Sequence, residues 1–124
     1  MAKKSHPITL LLVDDSNGRD IEPNMRLLGY SVILFERGRD AMEAIENGIR
    51  YDVAAIDLSM YDGLCRNDGT DGEDIIRLSK KLNPRVPVAS ISGYPEKSSM
   101  SDAHFQKPFN ENDLDFWIRG YIRR

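Results

Sequence analysis

Cysteine is nearly missing from this chain of 124 residues; Cys65 is the only one. A single thiol excludes an internal disulfide and a cysteine-rich zinc site, and it fits a reducing compartment, so a cytoplasmic location is expected. Long apolar runs are missing too. The opening MAKKSHP carries two lysines, but the ITLLLV behind it is too short for a signal core or a membrane span. Positive charge is not in excess: 17 basic against 20 acidic residues leave a formal charge of −3. Neither nucleic acid nor membrane is therefore an expected partner. There is no repeat, low-complexity tract or linker, and the length is close to that of one domain. Residues 1–124 are expected to share one core.

What the chain does have is a regular alternation of apolar runs and amphipathic segments. Ile8 to Val13 is apolar except for Thr9, as suits a strand buried on both faces. Tyr30–Glu36, Tyr51–Leu58, Val86–Ser92 and a weaker Ala103–Gln106 follow it. Helical patterns lie between them. Gly18–Leu28 is the poorest, because Pro23 interrupts it. Gly38–Gly48 offers Ala41, Met42, Ala44 and Ile45 as an apolar face, with Gly48 suited to a C-terminal cap. Glu73–Pro84 places Ile75, Ile76, Leu78 and Leu82 near one side. Glu111–Arg123 begins after Asn110, a candidate N-cap, and carries a stripe of Leu114, Trp117, Ile118, Tyr121 and Ile122; Phe116 points away from that stripe. Strand and helix in alternation predict βαβ units, a parallel sheet and helices on both faces.

In open parallel sheets, ligands bind beyond the carboxyl ends of the strands. The first strand ends on Asp14 and Asp15, the third on Asp57, the fourth on Ser92 and the fifth on Lys107-Pro108. Clustered carboxylates do not all stay ionised without a counter-charge. A hard divalent cation supplies one, and Mg²⁺ favours such a sparse, partly hydrated oxygen site. Lys107 offers a charge that holds an incoming anion, and Ser92 offers a hydroxyl donor. Together they suit phosphoryl transfer onto an aspartate, a reaction that needs positioning and charge neutralisation more than covalent help.

LLVDDS, AAIDLSM, SISG and QKPF, in this order and at strand ends, resemble the four signatures of response-regulator receiver domains of two-component signalling. The resemblance covers nearly the whole chain. It implies a doubly wound, flavodoxin-like α/β fold with a five-stranded parallel sheet of order 2-1-3-4-5. It further implies that Asp57 accepts a phosphoryl group from the phosphohistidine of a histidine kinase or histidine phosphotransfer protein. Asp15 and Asp57 would ligate Mg²⁺ directly, Asp14 through a water, and the backbone carbonyl of Ser59 would be another ligand. Lys107 would pair with Asp57 and then with a phosphoryl oxygen. Ser92 would hydrogen-bond the transferred group and start the switch. Lys107-Pro108 resembles the family's cis peptide. The domain would catalyse its own phosphorylation and slow dephosphorylation and signal to an output partner.

Three departures from that pattern stand out. MYDGLCRNDGTDGED follows the acceptor, with Tyr61 where the family has Pro, and is longer than the usual loop. No register of it fits a calcium loop; it reads as a solvated insertion or as a partner-contact loop. Only 14 residues separate Ser92 from Lys107, so the fourth helix is expected to be reduced or absent. The family's switch aromatic falls three residues before the lysine, which here is His104, with Phe105 beside it. The switch uses imidazole, or Phe105 in shifted register, or is abandoned. These departures keep open a second reading: a receiver-like interaction module that signals without a conventional phosphorylation switch. A flavodoxin-type cofactor site fits less well, since DDSNGRD puts acid where a phosphate loop would be.

Overall fold

The computed structural model describes residues 6–15, 18–58 and 72–122. Five strands and four helices alternate through most of the chain: β1 (Thr9–Val13), α1 (Gly18–Leu27), β2 (Ser31–Phe35), α2 (Gly38–Glu46), β3 (Val53–Asp57), α3 (Gly72–Leu82), β4 (Val88–Ser92), β5 (Ala103–Gln106) and α4 (Glu111–Ile122). The strands pair in parallel in the order β2-β1-β3-β4-β5. This is the expected doubly wound sheet. Ser59, Tyr61, Cys65 and the remainder of the 59–71 segment lie outside the described residues.

The unbroken apolar strands follow from burial on both sides. Along β1, Leu10 and Leu12 face one core layer with Ile21 and Met25 of α1 and Leu114 and Ile118 of α4. Leu11 and Val13 face the other, with Ala41 and Ile45 of α2 and Ile75 and Ile76 of α3. All four β1 leucine and valine side chains are fully buried, each contributing roughly 1.5–3 kcal/mol of transfer free energy.

The helix ends obey local chemistry. Gly29 and Gly48 have φ of +102° and +85°, the left-handed conformation that closes a helix. After α2, Ile49 N–H reaches Ala44 O and Gly48 N–H reaches Ile45 O, the paired bonds of a Schellman motif. Asn110 caps α4 through Oδ1, which accepts from Asn112 N–H at 2.8 Å. Helix α1 runs through Pro23. The ring is exposed and within the second turn, so the amide it removes leaves a carbonyl that water can reach.

Two side chains depart from the expected stripes. Leu82 is 47% exposed, and Ser79 is buried on the inner face of α3. Its hydroxyl lies 2.6 Å from Tyr51 Oη, which also accepts from Asn83 Nδ2 at 3.0 Å. A polar triad thus fills a place that period alone assigns to aliphatic residues. Ile122, at the end of α4, is 38% exposed.

Asp52 and Asp102 play matching parts at the opposite rim from the candidate site. Each precedes a strand, and each Oδ2 accepts the first amide of the neighbouring strand, Thr9 N–H and Val88 N–H respectively, both at 2.8 Å. The β4–β5 connection, residues 93–102, holds turns and bends but no helix. Four helices are therefore present among the described residues, and the expected loss of the fourth helix of the receiver pattern is observed.

Candidate functional site

Parallel register brings the carboxyl ends of β1, β3, β4 and β5 to one rim. Asp14 follows β1, and its amide is fixed by the Phe35 carbonyl at 3.1 Å. Asp57 is the last residue of β3. Both side chains are buried, and Asp15 is half-buried. One carboxylate oxygen from each of Asp14, Asp15 and Asp57 lies within 4.8 Å of the other two.

Lys107, carried in by the turn after β5, closes this group. Its Nζ stands 2.7 Å from Asp14 Oδ2 and 2.9 Å from Asp57 Oδ2. Burial pushes the ammonium pKa down, but hydrogen bonds and charge from Asp14 and Asp57 outweigh it, and the net shift is upward. Lys107 is therefore a firm cation. Three carboxylates thus crowd around one ammonium, a cluster that a further positive charge would help to neutralise. An all-oxygen donor set of this size fits a hard cation such as Mg²⁺.

Gly72 sets how closely α3 approaches. A Cβ there would sit 2.2 Å from the Asp57 carbonyl oxygen and 2.6 Å from Leu58 Cα. The first turn of α3 thus packs directly on the backbone of Asp57.

On the other side, Ser92 ends β4, one register step beyond Ile91, the partner of Asp57. Its Oγ donates to its own loop at Tyr94 O (2.9 Å) and accepts from Tyr94 N–H (3.1 Å). His104 Nε2 lies 2.7 Å from the same carbonyl, so that nitrogen carries the proton. In the neutral ring Nδ1 then accepts from Ser90 Oγ at 2.8 Å. Ser101 donates to Ser90 Oγ at 3.0 Å, with Ser98 O as its alternative acceptor at 3.1 Å, and Ser98 Oγ donates to Glu73 Oε1. A chain of hydroxyls therefore holds the helix-free connection onto the sheet and onto α3.

No protein-family model and no curated protein matches the chain in sequence. Solved structures do match. A CheY-like receiver domain from Methanospirillum hungatei JF-1 shares 22% identity with a TM-score of 0.77, covering 93% of each chain. The receiver domain of sensor histidine kinase PA1611 from Pseudomonas aeruginosa PAO1, solved with magnesium in its active-site cleft, shares 24% at 0.80, covering 96% of this chain and all of that one. The receiver domain of Francisella response regulator 1452 shares 25% at 0.77, over 95% and 98%.

The fold is that of a response-regulator receiver domain. Within this receiver fold the Asp14, Asp15 and Asp57 carboxylates lie together at the strand ends, and Lys107 contacts Asp14 and Asp57. Lys107-Pro108 is cis. Ser59 lies outside the described residues. His104 and Phe105 face opposite sides of the sheet. His104 joins Ser90 and Tyr94, whereas Phe105 packs on Phe109 and Trp117 with ring centroids 5.6 and 6.0 Å away. Of the two candidate switch residues, only His104 lies beside Ser92, with Nε2 3.5 Å from its Oγ. Ser90 was not singled out in the sequence. The signal was present: period two along β4 puts Ser90 on the face of Ser92.

Proposed function

We propose that the chain is a phosphoaccepting receiver module of two-component signal transduction, with Asp57 as the acceptor. The observation that carries this is the double contact of Lys107 with Asp14 and Asp57 beside a three-carboxylate cluster. Lys107 holds an Asp57 carboxylate oxygen in place, and the three carboxylates together offer a cluster of oxygen ligands to a hard cation.

Asp57 Oδ attacks the phosphorus of a phosphohistidine on a histidine kinase or phosphotransfer protein. The new O–P bond forms as the P–N bond breaks, and the leaving imidazole takes up a proton from solvent. Lys107 orients the acceptor and then follows a phosphoryl oxygen. Ser92 releases Tyr94 O and turns its hydroxyl toward the transferred group, which frees His104 to move with the loop. Asp14, Asp15 and Asp57, with the Ser59 carbonyl, would hold Mg²⁺. Bound there, the ion neutralises charge on the phosphoryl oxygens. The magnesium-bearing kinase receiver supports that assignment by likeness.

Incubation with radiolabelled phosphoramidate and Mg²⁺ tests the reading. The native chain is expected to take up acid-stable, base-labile label, and Asp57→Asn to take up none. Undiminished labelling of Asp57→Asn would overturn Asp57 as the acceptor.

A further inference from the structure

The Ser92–Tyr94 loop is gripped by one histidine. His104 Nε2 donates to Tyr94 O at 2.7 Å, and the same carbonyl accepts from Ser92 Oγ at 2.9 Å. Tyr94 N–H returns to Ser92 Oγ at 3.1 Å. Any shift of this loop that frees Ser92 therefore strains the bond that His104 makes to the same carbonyl. The other ring nitrogen faces Ser90 Oγ at 2.8 Å, and that hydroxyl has a second acceptor, Ala103 O, at 3.2 Å. Ser90 is fully buried. With the ring neutral, the Ser90 proton points to Nδ1. With the ring protonated, Nδ1–H donates to Ser90 Oγ and the Ser90 proton turns to Ala103 O. Both protonation states thus find their partners without the movement of a heavy atom. A fixed N–H donor in the place of Ser90 would exclude the charged ring; a hydroxyl rotor admits it.

We infer that protonation of His104 locks this loop with the Ser92 hydroxyl engaged on Tyr94, so that acid restrains the switch and neutral pH releases it. An imidazolium makes charge-assisted hydrogen bonds, about twice as strong as neutral ones. Pulling Tyr94 O away from Nε2–H therefore costs more when the ring is charged. The charged groups of the surrounding elements, among the described residues, have partners of their own. Glu73 of α3 accepts from Ser98 Oγ, and Lys97 of the connection donates to Ser101 O at 3.1 Å. Asp102 ahead of β5 pairs with Lys80 of α3 at 2.6 Å, and Lys107 after β5 pairs with Asp14 and Asp57. Glu96 of the connection is exposed, and β4 presents only the hydroxyls of Ser90 and Ser92 on this face. Of these residue types only histidine ordinarily changes charge between about pH 5 and 8. The inference rests on the phosphoaccepting reading and adds a proton as the ligand that opposes its switch.

Two measurements on the full chain, each at pH 5.5 and pH 7.5, test this. The first is the affinity for beryllofluoride with Mg²⁺, a phosphoryl mimic that draws Ser92 out of its loop. One linked proton changes affinity by at most about tenfold per pH unit. A loss of roughly tenfold is expected from pH 7.5 to pH 5.5, beyond the loss seen in His104→Phe, which keeps a ring but carries no proton. Dividing by the His104→Phe ratio cancels titration of the acceptor carboxylates. Ser90→Ala, which removes the acceptor for Nδ1–H, should shrink the native ratio as well; a merely structural serine would shift both affinities alike. The second measurement is hydrogen exchange of the Tyr94 amide without beryllofluoride, relative to an unstructured peptide. Protection should be greater at pH 5.5 than at pH 7.5 in the native chain and equal at both in His104→Phe. Circular dichroism melting verifies that each variant folds, and Ser90→Ala remains decisive if His104→Phe does not. A native affinity ratio no larger than that of the variants, an affinity that rises in acid, or Tyr94 protection that ignores pH would overturn the proton lock. Absence of beryllofluoride binding at both pH values would instead overturn the phosphoaccepting reading, while the Tyr94 exchange still decides the lock.

Discussion

Tyr30 shows how a single residue can carry a tertiary link that has no catalytic part. Its hydroxyl donates to Asp115 Oδ1 at 2.5 Å, Arg119 Nε reaches the same oxygen at 2.7 Å, and the Arg119 guanidinium lies 5.3 Å from the Tyr30 ring centre. Arg119 also donates to the Leu28 carbonyl at 2.9 Å, so α4 is tied to the end of α1. Burial first, and then the bond to Asp115, push the Tyr30 pKa above its ordinary value. A raised pKa in the folded state means the folded chain holds the proton more tightly than the unfolded one. The stabilisation is complete below a pH of about 10, and is lost as pH rises beyond that toward the folded value. Urea midpoints should accordingly fall between pH 9 and 11 more steeply for the native chain than for Tyr30→Phe. At this scale the carboxylate–lysine cluster was legible in the sequence, because a strand end fixes where Asp14, Asp15, Asp57 and Lys107 emerge. The Tyr30–Asp115 bond was not, since 85 residues separate its partners and neither has a local signature.

Among the elements, α3 is the one whose placement matters most for the site. Its first residue must be glycine, because any Cβ at position 72 collides with the Asp57 carbonyl and Leu58 Cα. Backbone cannot yield as a flexible side chain does. Gly72→Ala is expected to cost about 2 kcal/mol or more, read as a lowered melting temperature. Gly120→Ala serves as the contrast: nothing lies within 4 Å of its added methyl, and helix propensity alone should raise stability by up to about 1 kcal/mol. Element positions were largely readable, since hydrophobic period and turn residues act locally. The weakest helical pattern, Gly18–Leu28, still forms α1, because the exposed site of Pro23 near its start makes the missing amide cheap. Leu82 misled because the helix ends there, and the inner face had already been given to Ser79. The absent helix between β4 and β5 was legible from spacing alone. The serine and histidine chain that replaces it was not, because hydroxyl partners depend on the folded path of the loop.

For the molecule as a whole, the sheet gathers three carboxylates at the carboxyl ends of its strands. A divalent ion that binds only the folded chain must stabilise it by mass action. Mg²⁺ at ten times its dissociation constant should add about 1.4 kcal/mol to unfolding free energy, and EDTA should remove the gain. Asp57→Asn should flatten that response. A native chain whose urea midpoint ignores Mg²⁺ would contradict the site. Among the described residues, no helix is long and apolar enough to cross a membrane. The sheet order followed from alternation and the resemblance together, because right-handed crossovers leave few topologies.

The far margin of the sheet is β5, four residues long. Asp102 ahead of it is locked to Lys80 at 2.6 Å, and Pro108 just beyond it has no amide to offer. A stray strand arriving at that margin would find few free ladder positions to copy, so fibril-like stacking gains little template there.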